Sequence, residues 1–115
     1  MRAGVIDDER SIEAADAPDG LPRLRLTGPL TAATAPRLRA QVRKAVAHGQ
    51  ARLLVDLQGV TGLDAAGLAA LLDAHRLFEA RTGGTLVLHA NPIVCRALKE
   101  TGTISLFTVT TGSGM

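Results

Sequence analysis

Val60 to Leu72 reads "VTGLDAAGLAALL". Its first residues are β-branched and extended in character. Its last are a run of helix formers with leucines three and four positions apart, so one stretch contains a strand end, a tight turn and a helix start. Asp64 stands where an N-cap belongs, and its carboxylate suits both the free amides and the positive end of the helix that follows. A hydroxyl in such a turn is well presented for chemistry. Between Asp64 and Gly67, however, stand Ala65 and Ala66.

Working outward, "RLLVDL" (Arg52–Leu57) has apolar residues in succession, which predicts a central strand covered on both faces. The helix predicted over Ala65–Arg81 sets Leu68, Leu71, Leu72 and Phe78 on one face, with His75 among them, and Gly83-Gly84 ends it. "TLVLHA" (Thr85–Ala90) is a strand. Asn91 or Pro92 opens a third helix with Val94, Ala97 and Leu98 inward, stopped by Gly102. "ISLFTVT" forms the last strand. Upstream, Leu24 and Leu26 alternate with Arg23 and Arg25, the period of a half-buried strand. Then Leu38, Val42, Ala45 and Val46 make one face of a helix capped by Thr34, with Pro36 in its first turn and Gly49 beyond its end. A weak strand near Ser11–Ala15 joins the strand of Leu24 and Leu26, "LPRLRLTG" (21–28), through Pro18-Asp19-Gly20 as a hairpin.

The order β-β-α-β-α-β-α-β predicts an α/β domain: one mostly parallel, mixed sheet with an N-terminal hairpin, packed with helices. The expected boundaries are a flexible N-terminus over 1–10, the domain over 11–110 and a loose tail over 111–115. Strand-to-helix turns then share one sheet edge, at the carboxyl ends of the strands, where function tends to gather.

Composition narrows the classes. The chain has 115 residues, enough for one core, and 46% of them are hydrophobic, but Phe78 and Phe107 are its only aromatics, so the core is aliphatic. A net charge of +2 is too weak to imply nucleic acid, and stacking aromatics are missing. No apolar run reaches ~18 residues, so no membrane insertion is expected. The single cysteine, Cys95, forms no internal disulfide, and no long apolar leader opens the chain, so the expected compartment is the cytoplasm. His48, His75 and His89 fall on separate elements, away from any Cys or carboxylate at ligand spacing, so no metal or cofactor is expected. Cys95 is read as an inert, half-buried thiol, although Arg96 beside it could depress its pKa. Arg23, Arg25, Arg37, Arg39, Arg43 and Lys44 are read as solvated faces, the sharper alternative being a surface for an acidic partner. No catalytic motif is present, and the protein is expected not to be an enzyme.

"LTGPLTAATAPRLRAQV", "LLVDLQGVTGLDAAGLAALL" and "GGTLVLHANPIVCRALKETG" together resemble the STAS domain, best known in bacterial anti-sigma factor antagonists. The resemblance covers roughly residues 11–109. It implies partner switching: an antagonist binds an anti-sigma kinase, frees a sigma factor, and is released when the kinase phosphorylates a Ser or Thr in an Asp-Ser-(Ser/Thr)-Gly turn. Here Asp64, Gly67 and Leu68 match the turn, and Ala65 and Ala66 replace the phosphoacceptors. The related Gly-Glu-Leu-Asp segment carries Pro29 and Thr31 in place of its two acids. The resemblance therefore implies a cytoplasmic interaction module in bacterial signalling and transcription regulation, one that lacks the phosphorylation switch. Its partner-binding residues would be Thr31, Asp64, Ala65, Ala66, Gly67 and Leu68. Its partner would be an anti-sigma factor or kinase-like ATPase. Two alternatives stand: the STAS subunit of a lipid-transport ATP-binding-cassette complex docking on the transporter ATPase, and a binder of a small anion or nucleotide at the helix N-terminus. Thr61 is the nearest hydroxyl before the turn and is read as a strand-end or loop residue.

Overall fold

The computed structural model describes residues 12–16 and 22–111. In chain order the elements are β1 (Ile12–Asp16), β2 (Pro22–Leu30), α1 (Ala35–Ala47), β3 (Arg52–Leu63), α2 (Ala65–Thr82), β4 (Thr85–Ala90), α3 (Pro92–Glu100), a 3-10 turn (Ile104–Leu106) and β5 (Thr108–Thr111). The strands lie in the order β1-β2-β3-β4-β5. β1 runs antiparallel to β2, and β2 through β5 are parallel. This is the mixed, mostly parallel sheet that the sequence predicts. Of the predicted tail over 111–115, Thr111 belongs to β5; its remainder, the predicted N-terminus over 1–10 and the turn at Pro18-Asp19-Gly20 lie outside the described residues.

The expectation that β3 is covered on both faces fails. Leu53, Val55 and Leu57 are buried, but Leu54 and Asp56 between them are half-exposed. The reason is topological. The parallel strands follow each other in one direction across the sheet, and right-handed crossovers then put every connecting helix on the same face. The other face carries Arg23, Leu54 and Val87 in one register row and Arg25, Asp56 and His89 in the next. Arg25 and Asp56 approach to 3.9 Å there, a pair worth little in so open a position.

The helix face forms one core. Leu24, Leu26, Leu53, Val55, Leu57, Leu86 and Leu88 from the strands meet Leu38 and Val42 of α1, Leu71 and Phe78 of α2, and Val94 and Leu98 of α3. Of the inward positions predicted, Val46, Leu68 and Leu72 are partly buried at its rim, and Ala97 is half-exposed. α1 and α2 pack on each other, and α3 lies against β3 and β4.

Two local readings are corrected. Thr34 occupies the N-cap position of α1, but its hydroxyl makes no cap bond. It turns back, donating to the Pro29 carbonyl at 3.2 Å and accepting from the Thr31 N–H at 3.0 Å. Strand geometry predicted for "ISLFTVT" begins only at Thr108. Before it the chain takes a 3-10 turn, in which the Leu106 N–H donates to the Thr103 carbonyl at 2.9 Å. This brings Phe107 inward against the His75 ring, with centroids 5.3 Å apart in an edge-on arrangement. Apolar alternation alone does not distinguish such a turn from one more pair of strand residues.

Candidate functional site

β3 outruns its neighbour: β4 pairs with it from Arg52 to Leu57, while β2 stays alongside as far as Leu63. Two irregularities in the β2–β3 register, between Arg25 and Thr27 and between Gly28 and Pro29, each insert an extra β3 residue and add local twist. The end of β3 is thereby delivered to the carboxyl edge of the sheet, next to the end of β2. The Asp64 N–H donates to the Leu30 carbonyl at 3.3 Å, which ties the turn after β3 to the turn after β2.

Asp64 then caps α2. It is extended, at φ −101° and ψ −178°, and its Oδ1 accepts the Gly67 N–H at 2.8 Å. Its carbonyl takes the Leu68 N–H at 2.9 Å, the first helical bond. Gly67 is buried, and a Cβ there would fall on the Leu30 carbonyl. Any larger residue would push α2 off the end of β2, so this glycine serves close approach. Ala65 is exposed and Ala66 half-exposed above this frame, with Leu68 half-buried. Beside them Thr31 opens the β2 turn. Its carbonyl accepts the N–H groups of Thr34 at 3.1 Å and Ala35 at 2.8 Å, and its hydroxyl accepts that of Ala33 at 3.2 Å.

A family model described as "Mlab, STAS domain" matches residues 13–107. The chain belongs to the STAS domain family. Several solved structures share the fold. An anti-sigma factor antagonist from Mycobacterium paratuberculosis has a TM-score of 0.72 at 25% identity, over 90% of this chain and 86% of that one. The anti-sigma factor antagonist SpoIIAA, in its unphosphorylated form, gives 0.67 at 17% identity over 89% of each chain. A sulfate transporter family protein from Wolinella succinogenes gives 0.68 at 20% identity, over 84% of this chain and 87% of that one. No curated protein matches the chain.

Within this STAS fold the six residues singled out from the sequence, Thr31 and Asp64 through Leu68, come together at one edge, although more than thirty positions separate Thr31 from Asp64. Their bonds are to backbone groups of the two turns and, from the Thr31 N–H, to the Thr34 hydroxyl. No acid, base or nucleophile pair is formed among them, and what the edge offers is a rigid, mostly methyl surface carrying one carboxylate. Thr61, in the overhanging part of β3, is exposed.

The histidines are not brought together. His48 is exposed at the end of α1, and His89 is half-exposed on the helix-free face. His75 is buried on α2, its Nε2 3.4 Å from Glu79 Oε1 and its Nδ1 without a hydrogen-bond partner. Among the described residues no group of His, Cys, Asp and Glu is placed to hold a metal, and no helix is long and apolar enough to cross a membrane. Cys95 is half-buried at the rim of the core. Arg43 and Lys44 are exposed on α1, while Arg39 bonds Asp73 of α2 at 3.0 Å. The Arg39–Asp73 pair lies in a groove of about 210 Å³ between these helices, lined also by Val42, Arg43, Ala74 and Leu77. This groove belongs to the outer helix layer, away from the two turns.

One contributor escaped the sequence reading. Asn91 is the N-cap of α3, with Pro92 its first residue, and accepts the Val94 N–H at 2.9 Å. Its amide also donates to the carbonyls of Gln58 at 3.0 Å and Val60 at 2.8 Å. It thus satisfies the part of β3 that β4 no longer reaches. No signal in the sequence marks this, because Asn, Asp and Ser cap helices about equally well and the long-range partners carry no sequence signature.

Proposed function

We propose that this STAS domain is a non-catalytic docking module for an ATPase partner, held permanently in its binding-competent state. The observation that carries this reading is the Asp64 turn. The cap bond to Gly67 and the tie to Leu30 preserve a rigid, presented turn, while residues 64–67 contain no hydroxyl. A phosphoryl group on such a turn would bring roughly −1.5 to −2 charges to a docking surface. A methyl accepts none, so docking at this turn has no covalent release step.

The resemblance to anti-sigma factor antagonists makes a kinase-like anti-sigma ATPase the first partner, with the domain a regulator or scaffold of a cytoplasmic partner-switching network. The second reading is a transport complex, in which the same edge docks on the ATPase of a lipid-transport ATP-binding-cassette assembly. It is favoured by the matching family model's description as Mlab. A small-anion site at the start of α2 is the weakest reading, because Ala65 and Ala66 contribute no polar side chain.

The deciding experiment titrates the purified protein by calorimetry against each class of ATPase from the source organism. Binding to a kinase-like ATPase selects the first reading, and binding to a transporter ATPase the second. Incubation with the partner and ATP leaves residues 64–67 unmodified, whereas phosphate on Thr61 would show a displaced switch. Ala65→Glu keeps the fold, since negative charge is favourable at a helix N-terminus. It weakens binding by roughly thirtyfold, because a poorly paired charge at an interface costs about 2 kcal/mol or more. Unchanged affinity of Ala65→Glu for that partner would refute docking at the turn.

A further inference from the structure

α3 begins at the same sheet edge as the Asp64 turn, one strand over, and its first turn is fixed there by the three bonds of Asn91. On that turn stands Ile93, 47% exposed. The other large hydrophobic exposed among the described residues is Leu106, at 52%, in the turn before β5 at the opposite edge. A lone exposed isoleucine is ordinary. Its setting here is not. The segments that form this edge, Pro29–Thr34, Val60–Leu68 and Asn91–Val94, carry one charged residue among them, Asp64, in a chain that is 21% charged. The opposite edge carries Arg52, Arg81, Lys99 and Glu100 at strand starts and helix ends. Depletion of charge is the compositional mark of interface centres.

Size settles which residues one partner would cover. A standard interface takes about 800 Å² from each side, a disc roughly 30 Å across. Val60, whose carbonyl Asn91 holds, is four residues from Asp64, about 13 Å along a strand. A protein docked over Ala65 therefore reaches Ile93 as well. We propose that Ile93 is the apolar anchor of the docking surface, which runs from Thr31–Ala33 across Ala65 and Ala66 to α3 and fits a patch on the partner protein that is apolar opposite Ile93 and offers neutral hydrogen-bond donors to the exposed Asp64 carboxylate. The proposal rests on the reading of the Asp64 turn as the docking site and adds to it the anchor and the chemistry of the opposing surface.

The test places the photo-crosslinker p-benzoylphenylalanine singly at Ala65, Ile93, Leu106 and Arg25 of the full chain, in cells of the source organism. The same partner protein is expected in adducts from Ala65 and Ile93, with none from Leu106 or Arg25. An adduct from Ala65 without one from Ile93 overturns the proposal and leaves the turn as a docking site. An adduct from Ile93 alone, adducts from all four positions, or no adduct at any overturns both. With the partner so captured and purified, Ile93→Asp is expected to weaken binding roughly tenfold or more, while Ile93→Leu retains it and both keep the thermal midpoint. Affinity should change little as salt rises, because screening acts on charge pairs. Full affinity in Ile93→Asp, or a steep loss of affinity with salt, overturns the proposal.

Discussion

Replacing Asp64 separates the two ways in which one carboxylate holds α2. Asp64→Ala removes the acceptor of the Gly67 N–H, now bonded at 2.8 Å. Loss of an N-cap costs about 0.5–2 kcal/mol. The position within that range follows from burial. Asp64 itself is exposed, so water can enter where its side chain stood, but Gly67 is buried against Leu30, which hinders water from replacing the lost acceptor. An unsatisfied buried donor costs about 1–3 kcal/mol, so the upper half of the capping range, about 1–2 kcal/mol, is expected. Asp64→Asn keeps an acceptor oxygen and loses only the charge at the positive end of the helix, about 0.3–1 kcal/mol at low ionic strength. Urea denaturation of the three proteins, at low salt and near 1 M salt, resolves the terms. The Asn deficit should shrink toward zero at high salt, where the Debye length falls to about 3 Å, while the Ala deficit should keep its hydrogen-bond part. Equal midpoints for Asp64→Ala and the parent would refute the cap as a source of stability. A high-salt recovery of the Ala variant as complete as that of Asn would show that charge alone was acting.

Gly67→Ala should cost about 1–3 kcal/mol by overpacking against Leu30, and it should weaken partner binding too, because α2 must shift with the turn; unfolding midpoint and calorimetry on one sample check both. Asn91→Asp keeps the acceptor for the Val94 N–H but loses the donor to Gln58 and Val60. It should destabilise by about 1–3 kcal/mol and raise amide exchange at the start of α3, which hydrogen-exchange mass spectrometry reads directly.

The elements of this protein were legible in its sequence because each is dictated by local physics. Leu38, Val42 and Ala45 recur at the helical period whatever surrounds them. Arg23 through Leu26 alternate at the strand period, and Gly83, at φ 68°, ends α2 as a left-handed glycine does. The cap at Asp64 was equally local: donor and acceptor lie three residues apart. The order of the elements carried the fold class for the same reason, since alternating strands and helices leave few ways to cover a sheet.

What the sequence did not decide involved partners distant along the chain or competition between two local solutions. The run "RLLVDL" does not say how many faces will be covered, because that depends on strand order and the hand of the crossovers. The Thr34 hydroxyl had two outlets, and the Pro29 carbonyl, reached only once β2 and α1 were joined as they are, won over the helix cap. Phe107 fits a strand pattern as well as a 3-10 turn, and contact with His75 accompanies the turn. The sheet edge at the ends of β2 and β3 is the clearest case. Residue types named the Asp64 turn and the resemblance to STAS domains named Thr31, but the bond from Asp64 to Leu30 and the reach of Asn91 to Gln58 and Val60 exist only because parallel strands bring residues thirty positions apart to one edge. Periodicity records which side of an element faces inward. Which elements then stand side by side is a property of the assembled sheet.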